Sequence, residues 1–73
     1  MQAGTTMRNS PSFPVDNRTY NVCQALTSTL EAIEAYTKYQ SDDTTGLFED
    51  MAQDERAHAE RLIKELRSCL SQS

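Results

Sequence analysis

From Asp16 to Gln40 the chain contains neither glycine nor proline, and Val22, Leu26, Leu30, Ile33 and Thr37 recur at three- and four-residue spacing. That is the signature of a helix carrying one apolar stripe. Asp16 or Asn17 is placed to cap it. A second run extends from about Gly46 to Leu70, its stripe carried by Leu47, Met51, Leu62, Leu66 and Cys69. Glu49, Asp50 and Asp54 stand near its start, and Arg61, Lys64 and Arg67 gather toward its end, an order that complements the helix dipole. Between the runs, Ser41-Asp42-Asp43-Thr44-Thr45-Gly46 is the internal cluster of turn formers. A connection this short forces its flanking helices to lie antiparallel. The expected fold is therefore all-α: a two-helix antiparallel hairpin over residues 16–70. Each helix would be about 35 Å long at 1.5 Å per residue. A lone pair of that length leaves one face of each helix wet, so the hairpin is expected to dimerise into a four-helix bundle.

Ahead of the hairpin, residues 1–15 hold Gly4, Pro11 and Pro14 among Ser, Thr and Asn. So little apolar area cannot offset the entropy of ordering, and a flexible N-terminal tail is predicted. A chain of 73 residues makes one domain with a small core, which needs a disulfide, a metal or self-association to supplement it. Cys23 and Cys69 lie far apart without a CxxC pair, on the apolar stripes near the open end of the hairpin, and are expected as buried free thiols. The net charge of −4, with no block of Lys or Arg, argues against nucleic acid and anionic membranes as partners. No apolar run approaches the ~20 residues that span a bilayer, and the polar start lacks a signal-peptide pattern. The cytoplasm, or an enclosed protein compartment within it, is the expected location. The Asp42–Gly46 turn is no calcium loop, because with Gly46 in the glycine position the bidentate glutamate slot falls on Ala52.

The chemistry centres on Glu55 and His58. At about 100° per residue both fall inside the stripe of Leu47, Met51, Leu62 and Leu66 rather than on the charged face. A carboxylate in an apolar seam is costly unless paired, protonated or bound to metal. Glu-x-x-His is the spacing that sets an oxygen and a nitrogen over one patch of helix, and bundle-core di-metal sites use it. The competing reading pairs Glu55 with Arg56 or Arg61 and leaves His58 a core histidine. A bundle site also requires a carboxylate from helix one, which offers Glu31 and Glu34. If the hairpin folds near Asp43 and Thr44, facing residue numbers sum to about 87, which sets Glu31 beside Glu55. Phase favours Glu34, nearer the Leu26, Leu30 and Ile33 stripe. Glu31 is taken as the first helix-one ligand and Glu34 as a second ligand or an entry carboxylate. One hairpin supplies too few donors for a dinuclear centre, and a twofold partner doubles them to four Glu and two His. Oxygen ligands with one imidazole per metal suit Fe, with Mn or Zn as alternatives.

The stretch Leu47–Leu62, with its Glu55-Arg56-Ala57-His58, resembles the second helix of rubrerythrin-type ferritin-like proteins, and residues 19–70 as a whole are similar to the encapsulated ferritins, or half-ferritins. The resemblance implies a hairpin that dimerises to complete a ferroxidase centre, joins a ring-like homo-oligomer, and oxidises Fe(II) to Fe(III) for storage inside an encapsulin shell. It implies ligand and catalytic roles for a helix-one glutamate, Glu31 or Glu34, and for Glu55 and His58. Leu30-Glu31-Ala32-Ile33-Glu34-Ala35-Tyr36 also resembles the family's helix one, and on that matching its metal glutamate falls on Thr29. Ser68–Ser73 shows neither the family's third helix nor an encapsulin-targeting peptide, so the shell rests on the resemblance alone. Tyr36 and Tyr39 are expected in interface packing, with a place near the metal as the alternative. From a different class, a helical oligomerisation module without metal would use the same stripes.

Overall fold

A computed structural model of the chain describes residues 14–71. The expected tail, residues 1–15, falls almost wholly outside them. Helix α1 spans Asn17–Tyr39, a single 3₁₀ turn covers Gln40–Asp42, and helix α2 spans Leu47–Ser71. The all-helical hairpin expected from periodicity is observed, with each boundary within a residue of its expected place. No helix among the described residues is long and apolar enough to cross a membrane.

The helix ends show why the chain turns where it does. Asp16 is extended (ψ 172°) and its carboxylate accepts the Thr19 N–H at 2.8 Å. The first α1 hydrogen bond, Tyr20 N–H to Asp16 C=O, closes behind it at 3.0 Å. The side chain thereby satisfies an amide that has no partner within the helix. At the connection one residue organises the reversal. Asp43 Oδ2 accepts the N–H groups of Gly46 and Leu47, both at 3.1 Å, and the Thr45 hydroxyl donates to the same carboxylate at 2.9 Å. Gly46 sits at φ +84°, a left-handed conformation that disfavours any residue with a Cβ. Its C=O then accepts from Asp50 N–H to begin α2. Hydrogen bonding from Thr19 lowers the Asp16 pKa, and that from Thr45 lowers the Asp43 pKa.

The helices meet along Thr19, Val22, Cys23, Leu26, Thr29, Ile33 and Tyr36 of α1, and along Phe48, Ala52, Glu55, Ala59, Leu62, Leu66 and Cys69 of α2. Ala52, 1% exposed, and Ala59, 5%, are one heptad apart and are the buried positions of α2, where a methyl group lets two backbones draw together. Near the turn Tyr36, Tyr39 and Phe48 form a ring cluster with centroids 5.3 to 6.3 Å apart. At the open end Arg18 reaches across to α2, donating from Nη2 to Glu65 Oε1 at 2.9 Å and from Nη1 to Cys69 Sγ at 2.8 Å.

Three expectations need adjusting. Leu30 and Leu47, read as stripe residues, are about half exposed. Each helix has a single neighbour, so the arc it buries is narrower than its apolar arc. Thr37 is exposed as well, its hydroxyl turned back onto the Ile33 carbonyl at 2.8 Å. The basic residues expected to complement the helix dipole stop short of the last turn of α2, because the helix runs on to Ser71. The thiols of Cys23 and Cys69 are free, as expected, but half-buried.

The molecule measures 51 × 27 × 12 Å. Its thin dimension is about one helix diameter, so the hairpin is a single layer with both broad faces open. Among the described residues only Ala52, Ala59 and Thr19 are buried, and no large side chain is fully enclosed.

Replacing Ala52 or Ala59 with Leu should separate the helices and cost about 1–3 kcal/mol. Thermal melting followed by circular dichroism will show a lower midpoint for either variant; an unchanged midpoint would mean the helices do not close there. Acid should act through the caps. A carboxylate with a depressed folded pKa contributes stability that is present above its unfolded value, about 3.9, and is lost as pH falls through the folded value. Helicity should hold from neutral pH to about 4 and fall below it, and Asp43→Ala should begin less helical with a smaller acid step. An acid step of unchanged size in that variant would remove Asp43 from the account.

Candidate metal centre

Glu55 lies on the inner edge of α2, its side chain 26% exposed, and His58 one turn later stands at the rim, 64% exposed. Three residues rotate a helix by about 60° short of a full turn, which carries the imidazole out of the seam while keeping it beside the carboxylate. His58 Nδ1 is 3.3 Å from Glu55 Oε1. The two residues read together from the Glu-x-x-His spacing are thus adjacent. Glu55 makes no ion pair with Arg56 or Arg61, and His58 is not a core residue of the single hairpin. When the ring donates from Nδ1 to Glu55, Nε2 is left with its lone pair, which is how a carboxylate orients a metal-binding histidine.

His58 borders an open hollow of about 430 Å³ whose other walls are Thr29, Arg61, Leu62 and Glu65. Thr29 is the helix-one residue level with His58, in keeping with the register set by the turn. Its hydroxyl is occupied by the Ala25 carbonyl at 2.9 Å. Glu31 and Glu34 are both exposed and hydrogen-bond to neither Glu55 nor His58. From Thr29, Glu31 is two residues on, about 200° around the helix, so correct level does not bring its carboxylate to the seam. Among the described residues no group of three or more His, Cys, Asp or Glu side chains is close enough to hold a metal ion. One hairpin therefore brings together two of the four expected ligands.

The charges around the hollow divide. Glu65 is held by Arg18, whose hydrogen bond lowers the Glu65 pKa. Arg61 makes no hydrogen bond or ion pair among the described residues. Arg61 was expected from sequence only as a dipole-complementing charge or a partner of Glu55, and Glu65 was not singled out, although both continue the His58 and Leu62 helical spacing. Tyr36 stacks on Phe48 and Tyr39 meets it edge to face; Phe48 stands about 15 Å along α2 from His58 at 1.5 Å per residue. Their place is in packing at the turn.

Known protein-family models, curated proteins and solved structures show no match to this chain. The site must be read from its own residues. A carboxylate and an imidazole one turn apart on a rigid helix form half of a four-donor set, and a second such pair facing them would complete it.

Thr29→Glu places a carboxylate level with His58 on the inner face of α1. If the Glu55 and His58 pair binds Fe(II), a third donor beside it should tighten binding at least about tenfold. Anaerobic calorimetry on the variant and parent measures this, and equal affinities would show that Thr29 does not face the bound ion.

Proposed function

We propose that the hairpin pairs with a second copy to form a ferritin-like four-helix bundle and that Glu55 and His58 of both copies bind iron between them. Fe(II) is the substrate, oxidised to Fe(III) by dioxygen at a carboxylate-rich di-iron site. The observation that carries the reading is the Glu55–His58 pair, 3.3 Å apart on the open face of a single-layer hairpin. A half-buried carboxylate on that face has an exposed imidazole within 3.3 Å and, among the described residues, no Lys or Arg bonded to it. Pairing of two hairpins would bury both groups further, which raises the cost of leaving them without an ion.

Glu31 and Glu34 remain the helix-one carboxylates of this proposal, acting as ligands from a second hairpin or as an acidic entry path on the exposed side of α1. Carboxylates favour the higher charge of Fe(III), which drives the oxidation forward. Mn or Zn would occupy the same two-carboxylate, two-imidazole set, and Zn in particular accepts four donors without oxidation chemistry. Delivery of Fe(III) into an enclosing shell, within a ring-like homo-oligomer, is the storage step that the family resemblance implies.

A second reading is a metal-free oligomerisation module. It is favoured by Arg61, whose cationic side chain borders the same hollow as His58. A fixed positive charge opposes a metal ion unless it is neutralised.

The two readings separate in an anaerobic Fe(II) titration followed by air, run on the parent and on Glu55→Ala, His58→Ala. The expected result is saturation near one iron per chain with rapid oxidation, abolished in the double variant. Equal binding by both proteins, or none by either, would leave the oligomerisation module.

A further inference from the structure

The open face of α2 carries its own instruction for pairing. At about 100° per residue Asp54, His58, Arg61 and Glu65 fall within an arc of about 60°, so they form one stripe along the outer side of the helix. Asp54, His58 and Arg61 are exposed, and the hollow lies against the stripe. Glu65 is already paired with Arg18. Asp54 and Arg61 make no hydrogen bond or ion pair among the described residues. The stripe thus offers an acid and a base, neither held in a direct bond among the described residues, on opposite sides of a histidine, with the charge of Arg61 also felt by Glu65 one turn on. Glu49 and Asp50 in the first turn and Lys64 and Arg67 beyond Arg61 continue the asymmetry, with Arg56 and Glu60 running against it.

We infer that the hollow beside His58 is covered by a second copy of this chain, whose α2 runs antiparallel across a twofold axis at His58. Asp54 of each copy then pairs with Arg61 of the other. A residue on a twofold axis meets itself, and residues at equal distances before and after it meet each other's copies. Asp54 lies about 6 Å before His58 and Arg61 about 4.5 Å after it, so the two come level to within one residue rise. A parallel arrangement would set Asp54 against Asp54 and Arg61 against Arg61, and like charges at an interface select against it. The antiparallel register also neutralises Arg61 where it borders His58. It leaves two Glu55–His58 pairs facing one another across the axis.

This inference rests on the proposal that the hairpin pairs with itself, and it adds the face, the direction and the register. Two measurements in EDTA test it without metal. The first uses Cys23→Ser, Cys69→Ser chains carrying either His58→Cys or Glu31→Cys under mild oxidation. His58→Cys should link into covalent dimers in high yield, and Glu31→Cys should not. The second measures dimer dissociation by sedimentation for Asp54→Lys, Arg61→Glu and their combination, with circular dichroism confirming that each chain is helical. Each single variant should weaken the dimer about tenfold or more, and the combination should return to within about threefold of the parent. A dimer that fails to link through His58→Cys, or that is not rescued by the combined swap, overturns this register. Iron binding in the earlier titration would then stand unaffected. A chain that stays monomeric at all concentrations, with and without Fe(II), overturns both the register and the pairing it rests on.

Discussion

Two helices packed side by side have one line of contact, and everything else in this molecule follows from how little that line can enclose. Small residues at Ala52 and Ala59 let the backbones approach, and the side chains around them are shielded from one direction only. Larger apolar residues reach the seam at an angle and stay half open, as Leu26, Ile33, Leu62 and Leu66 do. A structure 12 Å thick has no interior in the sense that a globular domain does. Its stability must come from the ends, where Asp16 and Asp43 hold otherwise unpaired amides, from the ring cluster at the turn, and from whatever covers its faces.

The same geometry shapes the proposed chemistry. A site in a four-helix bundle draws its ligands from several helices that look inward at a shared axis. Here the inward direction of each helix is taken up by the other helix, and a residue at the rim faces outward. His58 is therefore poised to meet something outside its own hairpin, with Glu55 beside it to orient the ring. The level position on α1 belongs to Thr29, which bonds its own backbone, and the two helix-one carboxylates look elsewhere. The proposed centre is thus a property of an assembly. Its protein charges must balance there too, which gives Arg61 a part in it, since its charge borders the same hollow as His58 and Glu65.

Most of the architecture was legible along the chain because helical periodicity and turn chemistry are local. A cap at Asp16 or Asn17, the break at Ser41–Gly46, the antiparallel pairing and the adjacency of Glu55 and His58 depend on residues within a few positions of one another. The level of facing residues also followed, since a short turn sets register. What periodicity could not supply was the width of the buried arc. It counted Leu30, Leu47 and Thr37 into the stripes, because a pattern of apolar residues records what a helix is able to bury and not how many neighbours it has.

The tertiary structure alone decided rotation. Level and phase pointed to different glutamates on helix one, and only the packed pair of helices shows both Glu31 and Glu34 exposed, with Thr29 beside the hollow. It also decided partners: Arg18 took Glu65 and reached Cys69 across the open end, and Asp54 and Arg61 were left without a direct bond among the described residues. The sequence by itself determined the two helices, their caps, their direction and the Glu-x-x-His pair, because each is set by neighbours along the backbone. Which side chains share a face between helices depends on the angle at which two cylinders lock, and that angle is fixed by side-chain volumes such as those of Ala52 and Ala59 meeting across the seam.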